Sequence, residues 1–153
     1  MTIDILPTIA EIIGAPLPSR PIDGRSILSL MTGAPDLPSP HEAYYLYYGT
    51  ELQAIRSGRW KLHFPHAYRT LSGRPGGTGG KSVKYDQATI ELSLFDLQAD
   101  VGETTNVADQ HPDVVRRLTA LAGTAREDLG DGPNHIGKGV RAAGEIQTET
   151  PSP

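Results

Sequence analysis

Residues 52–64 read LQAIRSGRWKLHF, and this stretch decides the fold. Trp60, Leu62 and Phe64 alternate with Arg59, Lys61 and His63, which is the period-two pattern of a strand with one apolar face. Before them, Leu52, Ala54 and Arg56 alternate with Gln53, Ile55 and Ser57. Ser57-Gly58 between the two runs is a turn signal, so the pair is expected to be a β-hairpin. Upstream, Tyr44-Tyr45-Leu46-Tyr47-Tyr48 is rich in aromatics and bounded by Gly49, a strand signal. Downstream, residues 91–97 form a further expected strand around Leu92, Leu94 and Leu97. Residues 65–91 between them contain GRPGGTGG and no sustained pattern, and read as a 27-residue loop, a length usual only for functional or disordered segments.

Residues 111–129 carry the best helical pattern. Val114, Leu118, Leu121, Ala125 and Leu129 fall at i, i+4, i+7, i+11 and i+15, one face of a helix. Residues 2–13 are a second helix, with Ile5, Ile9, Ile12 and Ile13 on the expected buried face. Thr2 or Asp4 is its cap, Pro7 sits in its first turn and Gly14 is its stop. Ser26 caps a short helix through Ile27, Leu28, Leu30 and Met31, ended by Gly33. The expected class is α+β: a small antiparallel sheet of about four strands, covered on one face by the long C-terminal helix. The one or two N-terminal helices are surplus to that unit, and their apolar faces call for a partner. The organisation expected is 1–42, 43–130 and an extended tail over 131–153.

Composition narrows the function. The 153 residues contain 17 Gly and 13 Pro, so the core is small and the connections rich in turns. Absence of Cys excludes disulfides, thiolate metal sites and a Cys nucleophile within these residues. The opening MTIDILPTIAEIIG has no basic region, so no signal peptide is expected; compartment stays open. No run approaches 18 apolar residues, so no membrane partner is expected. The net charge is −4, yet residues 56–85 hold Arg56, Arg59, Lys61, Arg69, Arg74, Lys81 and Lys84 and no acid. Such a segment focuses an anion-attracting field, or is simply a solvated loop. Nucleic acid is not expected, because the chain is acidic overall and offers few bases a stacking partner.

Two weak patterns fail. Asp96, Asp100 and Glu103 lack the spacing of an EF-hand, so no metal site is expected. Residues 76–82, GGTGGKS, miss the phosphate-loop register and lack the flanking strand and helix.

Four stretches together resemble one family. IDILPTIAEIIGAPLP (3–18) followed by IDGRSILSLMTG (22–33) resembles the part of sulfatases that follows their catalytic α/β core. AIRSGRWKLHF (54–64) resembles the hairpin of their C-terminal subdomain. LFDLQADVGETTNVADQHPDVVRRL (94–118) resembles their closing strand, turn and terminal helix. KLHFPHAYRTLSGRPGGTGG (61–80) is similar to arylsulfatases of bacterial type. The resemblance covers about residues 2–130, with GKGVR (137–141) continuing it.

The resemblance implies the C-terminal part of an arylsulfatase-type sulfuric ester hydrolase. The first two short helices would be the remnant of the catalytic core, and the missing N-terminal catalytic domain would be the partner. In the family a Cys or Ser in Cys-x-Pro-x-Arg or Ser-x-Pro-x-Arg becomes the formylglycine nucleophile. Asp pairs hold calcium, and the catalytic Lys precedes the region that Met1 opens. None of these motifs is present, so no catalytic residue is expected here, calcium belongs to the full-length family, and the chain alone is expected to be inactive. It reads as a truncation, an excised domain or a fragment. Candidates for contact with a sulfate ester are His63, His66, Tyr68 and Arg69, which open the long loop. Imidazole exchanges protons near neutral pH and guanidinium binds anions. Against this, His63 alternates away from Trp60, Leu62 and Phe64, which also describes an ordinary hydrogen-bonded sheet position. The competing reading is a stand-alone module that holds an anionic glycan with the basic segment.

Overall fold

A computed structural model describes residues 1–33 and 37–139. The chain divides into two units, residues 1–44 and residues 45–153.

The first unit is built around a buried acid. A 3-10 turn, Thr2–Asp4, leads into helix α1, Ile5–Ile13, which stops at Gly14 with φ +66°, the left-handed C-terminal position that glycine fills without a Cβ clash. Helix α2 spans Leu28–Thr32 with Ile27, not the expected Ser26, at its cap position; the Ser26 hydroxyl accepts the Leu28 N–H at 3.2 Å in a local turn just before it. Asp4 is 1% exposed. Its Oδ1 accepts the Arg25 N–H at 2.9 Å and meets His41 Nε2 at 2.7 Å, and its Oδ2 pairs with the Met1 amine at 2.8 Å. Thr8 Oγ1 donates to the Asp4 carbonyl at 2.6 Å and accepts the Ile27 N–H at 3.1 Å. Gly24 passes so close that a Cβ there would lie 1.9 Å from the Ile3 carbonyl oxygen. Burial alone would raise the Asp4 pKa, but these donors hold its carboxyl far below the usual range.

This arrangement reverses the expected orientation of α1. Pro7, Thr8 and Ala10 are the buried residues of α1, whereas Ile5, Ile9, Ile12 and Ile13 are 49–68% exposed. The isoleucine stripe is real; the face packed within the unit is the one beside it that carries Pro7, Thr8 and Ala10, where Asp4 and Thr8 satisfy the amides of Arg25 and Ile27. Asp4→Ala should therefore strip hydrogen-exchange protection from the Arg25 and Ile27 amides together while leaving the Leu62 amide of the other unit protected. Unchanged exchange at Arg25 would show that the carboxylate does not organise this unit.

The second unit contains a four-stranded antiparallel sheet in the order β1-β2-β3-β6. Strand β1 is Tyr44–Tyr48, opened by the residue at the unit boundary; β2 is Glu51–Ser57, β3 is Trp60–His63 and β6 is Ser93–Asp96. Ser57 pairs with Trp60, so Gly58-Arg59 is a two-residue turn, and Gly58 supplies the positive φ, +58°, that such turns demand. Ile55, Leu62 and Leu94 are register partners across three strands and are each 0% exposed. Helix α3, Pro112–Leu129, covers this row. Pro112 stands at its first position, where a missing N–H costs nothing. Leu118, Ala122 and Ala125 are buried, and Val114, Val115 and Leu121 are half-buried. The rings of Trp60 and His111 lie 4.7 Å apart at one end of the helix, and the Arg126 guanidinium sits 4.3 Å over the Phe64 ring near the other. Arg117 donates to Ser57 Oγ at 3.2 Å. The expected stripe holds through Ala125 and fails at Leu129, which is 42% exposed.

Three further features were not expected from the sequence. Residues 65–91 are not one loop: β4, His66–Thr70, and β5, Asp86–Ile90, form a second, two-stranded sheet, leaving 71–85 as the connection. Both faces of that ribbon are largely exposed, so no apolar alternation announced it. The main sheet buries residues on both faces, with Ala54 and Phe95 at 2% and 5% exposure on the side away from α3. Finally, the start of the supposed tail is fastened. Asp131 Oδ1 accepts the Leu52 N–H at 2.9 Å and Asp131 Oδ2 meets Arg126 Nε at 2.5 Å. Gly132 N–H reaches the Thr50 carbonyl at 2.8 Å, and Tyr47 Oη donates to the Gly130 carbonyl at 2.9 Å. Residues 140–153 of that expected tail lie outside the described residues. Among the described residues, no helix is long and apolar enough to cross a membrane.

Leu118 is the one large aliphatic of α3 that is wholly buried. Leu118→Ala should lower unfolding free energy by about 2–5 kcal/mol, the cost of a buried Leu truncated in a close-packed site. Urea denaturation of the two proteins, read at the Trp60 fluorescence, checks this; a loss under about 1 kcal/mol, the level of a surface change, would contradict the packing.

Candidate functional site

The face of β3 turned away from α3 carries the chemistry. Alternation places Lys61 and His63 there, opposite Trp60 and Leu62. Their register partners on β6 are Phe95 and Ser93. The turn after β6 returns Glu103 to the same face. Lys61 Nζ donates to Glu103 Oε1 at 2.6 Å, and His63 Nε2 lies 2.8 Å from Glu103 Oε2. Glu103 is one of two non-glycine residues in the left-handed region among the described residues, with φ +54°, a strained setting held by its surroundings. The surroundings are visible: the Asp100 carboxylate accepts the N–H groups of Thr104 and Thr105 at 2.7 and 2.8 Å and the Thr104 hydroxyl at 3.0 Å, winding the turn around Glu103. Those donors, the Thr105 amide foremost, hold the Asp100 pKa low against burial.

Phe64-Pro65 turns the corner from β3 into β4, which brings His66 back beside His63. The two imidazole rings stack at 5.5 Å with 20° between their planes. His66 Nδ1 lies 2.7 Å from the Phe64 carbonyl oxygen. A carbonyl only accepts, so Nδ1 carries the hydrogen and Nε2 carries the lone pair. Tyr68, two residues along β4 on the same face, meets His66 edge-on at 6.4 Å and is 44% exposed. Phe95 closes the other side of His63 at 5.7 Å.

Three of the four candidates thus form one cluster: His63, His66 and Tyr68. Arg69 does not join it. In β4 it pairs with Gln87 and points to the face opposite His66 and Tyr68, exposed. Arg69 is a candidate beside His66 by sequence, and the strand's period of two separates the pair onto opposite faces. Sequence reasoning missed Glu103, because it weighed that residue only as a metal ligand. The signal available was its place in the turn of LFDLQADVGETT, directly after the strand that pairs with β3.

The basic segment is also quieter than its sequence. Arg59 is paired with Asp96, Lys61 with Glu103, and Arg74 with Asp86 at 2.8 Å. Acids distant in sequence fold back onto it. The hydrogen bond from Arg59 is the main reason that the Asp96 carboxyl titrates below its ordinary range. Asp96, Asp100 and Glu103 are each engaged by protein donors, and no group of three or more His, Asp or Glu among the described residues is placed to hold a metal. These residues do not fit a calcium site.

Burial is the largest influence on His63 and lowers its pKa; the Glu103 hydrogen bond opposes it, and the charge of Lys61 assists it. Its Nδ1 is buried with no hydrogen-bond partner, so a second proton there has nowhere to point. For Glu103, burial works upward, and the hydrogen bonds and charges of Lys61 and His63 overcome it, leaving the pKa lowered.

The model for the C-terminal region of aryl-sulfatase matches residues 39–150. The chain belongs to the sulfatase family, as its C-terminal region. It is similar to arylsulfatase A of Homo sapiens, 28% identical over 158 residues, covering 95% of this chain and 31% of that protein. It is similar to steryl-sulfatase of Mus musculus, 31% identical over 151 residues, covering 87% of this chain and 23% of that protein. A solved structure described with the metabolism of multiple glycosaminoglycans by Bacteroides thetaiotaomicron superposes with a TM-score of 0.51 at 26% identity, covering 80% of this chain and 24% of that one. The chain therefore spans roughly a quarter to a third of the length of these relatives. Mammalian enzymes match alongside a sulfatase from Formosa agariphila, so the restriction to a bacterial type is not supported.

The neutral, buried state of His63 has a consequence for stability. Its folded pKa lies below the ordinary 6.5, so below that pH the unfolded chain binds the proton more readily than the folded one. The contribution is present above pH 6.5 and is lost as pH falls toward the folded value. Urea midpoints should drop between pH 7.5 and 5.5, and His63→Asn should flatten the drop. A slope that survives the substitution intact would assign it to another group.

Proposed function

We propose that this chain is the C-terminal part of an arylsulfatase-type sulfuric ester hydrolase and is inactive by itself. The observation that carries the reading is the family match over residues 39–150, joined to a span of only 23–31% of the curated relatives quoted. In this reading the nucleophile, the calcium ligands and the catalytic Lys belong to a preceding catalytic domain. The exposed isoleucine stripe of α1 is the apolar face that this domain covers; Ile5, Ile9, Ile12 and Ile13 lose contact with water there.

The chain's own contribution is a substrate-side wall made by His66 and Tyr68, backed by His63. His66 Nε2 donates to an ester oxygen when it carries a proton, and accepts from a hydroxyl of the substrate when it does not. The Tyr68 ring supplies a flat apolar edge for an aryl or sugar group. Arg69 has no part in it. A stand-alone anionic-glycan module is disfavoured by the three ion pairs that neutralise Arg59, Lys61 and Arg74.

Two measurements test the reading. The purified chain should not hydrolyse 4-nitrophenyl sulfate with or without calcium, because the groups that lower the barrier most are elsewhere; turnover above a buffer blank would refute it. In the labelled chain, millimolar 4-nitrophenyl sulfate should shift the NMR resonances of His66 and Tyr68 and leave Arg69 in place. Shifts confined to Arg69, Lys81 and Lys84 would return the anion to the basic segment.

A further inference from the structure

Two imidazoles stacked at 5.5 Å present a conflict. If both were cationic, like charges would face each other in a half-buried site where solvent screens poorly. The groups facing His63 resolve it. Glu103 meets Nε2 at 2.8 Å, Lys61 sits on the other carboxylate oxygen at 2.6 Å, Phe95 stands edge-on, and His66 lies against the remaining side. A carboxylate accepts, so His63 carries its hydrogen on Nε2. The lone pair left on Nδ1 is sealed from water and from any partner. Glu103 favours an imidazolium, and the charge of Lys61 on the same carboxylate works against it together with burial.

We propose that Glu103 is a positioning residue for His66: with Lys61 beside it, its carboxylate fixes His63 as a neutral ring protonated on Nε2, and that ring, lying flat against His66, leaves His66 Nε2 as the proton-accepting atom on the face that carries Tyr68. The Phe64 carbonyl fixes the other half of the arrangement by holding His66 Nδ1–H. Of the two histidines, only His66 then presents a lone pair toward the open face. The chain separates a histidine that supports from a histidine that exchanges protons, with Glu103 deciding which is which. The left-handed backbone at Glu103 and the Asp100 turn that enforces it are the structural means of aiming one carboxylate at both Lys61 and His63. The value of this arrangement for a sulfate ester rests on the function proposed above; the proton arrangement itself does not.

The experiment is two-bond nitrogen–proton correlation NMR of the histidine rings in the full chain, from pH 8 to pH 5. The expected spectrum has His63 as the Nε2–H form and His66 as the Nδ1–H form, with proton uptake at His66 Nε2 preceding any at His63. His63 in the Nδ1–H form, or protonated before His66, would overturn the proposal. In Glu103→Gln the Lys61 ammonium takes the amide oxygen and the amide N–H₂ faces His63, so His63 should switch to the Nδ1–H form and the His66 titration should move. A folded variant, with the Leu118 region unchanged, in which neither moves would reduce Glu103 to a structural residue and overturn the proposal. Should that variant not fold, the wild-type tautomers decide. Adding 4-nitrophenyl sulfate in the same tube separates the two readings: correct tautomers with no shift at His66 count against the substrate role alone.

Discussion

The second unit depends on one row of three side chains, Ile55, Leu62 and Leu94, fixed opposite one another by antiparallel register and closed over by Leu118. A slip of one residue in either pairing would turn this row to the other face. The same register puts Ala54, His63 and Ser93 in the next row on the reverse side, and Arg56, Lys61 and Phe95 in the one after. The site is thus the obverse of the core. No residue of the cluster is positioned independently of how the aliphatics pack beneath α3, and the polar side inherits its precision from the apolar side.

Much of this was readable from residue order. Alternation through Arg59–Phe64 named the core face of β3, and the period of Val114, Leu118, Leu121 and Ala125 named the face of α3, because each buries one side against a single partner. Gly58 marked the turn and Gly14 the helix end through backbone conformations that glycine alone adopts freely. The α1 stripe was legible as an amphipathic face, but its direction was not. An apolar stripe states which residues share a helix face; it does not state which way that face turns. Here Asp4 and Thr8 won the inner side because two loop amides had to be satisfied.

The β4–β5 ribbon was hidden for the opposite reason. His66-Ala67-Tyr68-Arg69-Thr70 buries little, so its strand character rests on backbone pairing and leaves no trace in hydropathy. The site suffered from a related blindness. His63, His66 and Tyr68 were visible as residue types at the mouth of a long segment, whereas Glu103 sits forty residues from His63 in sequence and acts through a turn geometry that only coordinates reveal. The charge of residues 56–85 misled in the same way. Charge summed along a chain ignores the acids that folding brings back, and Asp96, Glu103 and Asp86 each cancel a cation of that segment.

The fastening around Asp131 has a topological consequence. Tyr47 on the first strand holds the carbonyl of Gly130, and the Thr50 carbonyl is held by the amide of Gly132, so the start of the sheet and the residues that follow α3 meet at one edge. A domain whose ends meet is insensitive to where its covalent ring is opened, as in circular permutation. New termini at the exposed tip of the β4–β5 connection, with a short linker joining the old ends, would leave every strand pairing and the cover of α3 in place. The unit is, in that sense, a cassette, closed on itself at the edge where Tyr47, Thr50, Gly130 and Gly132 meet.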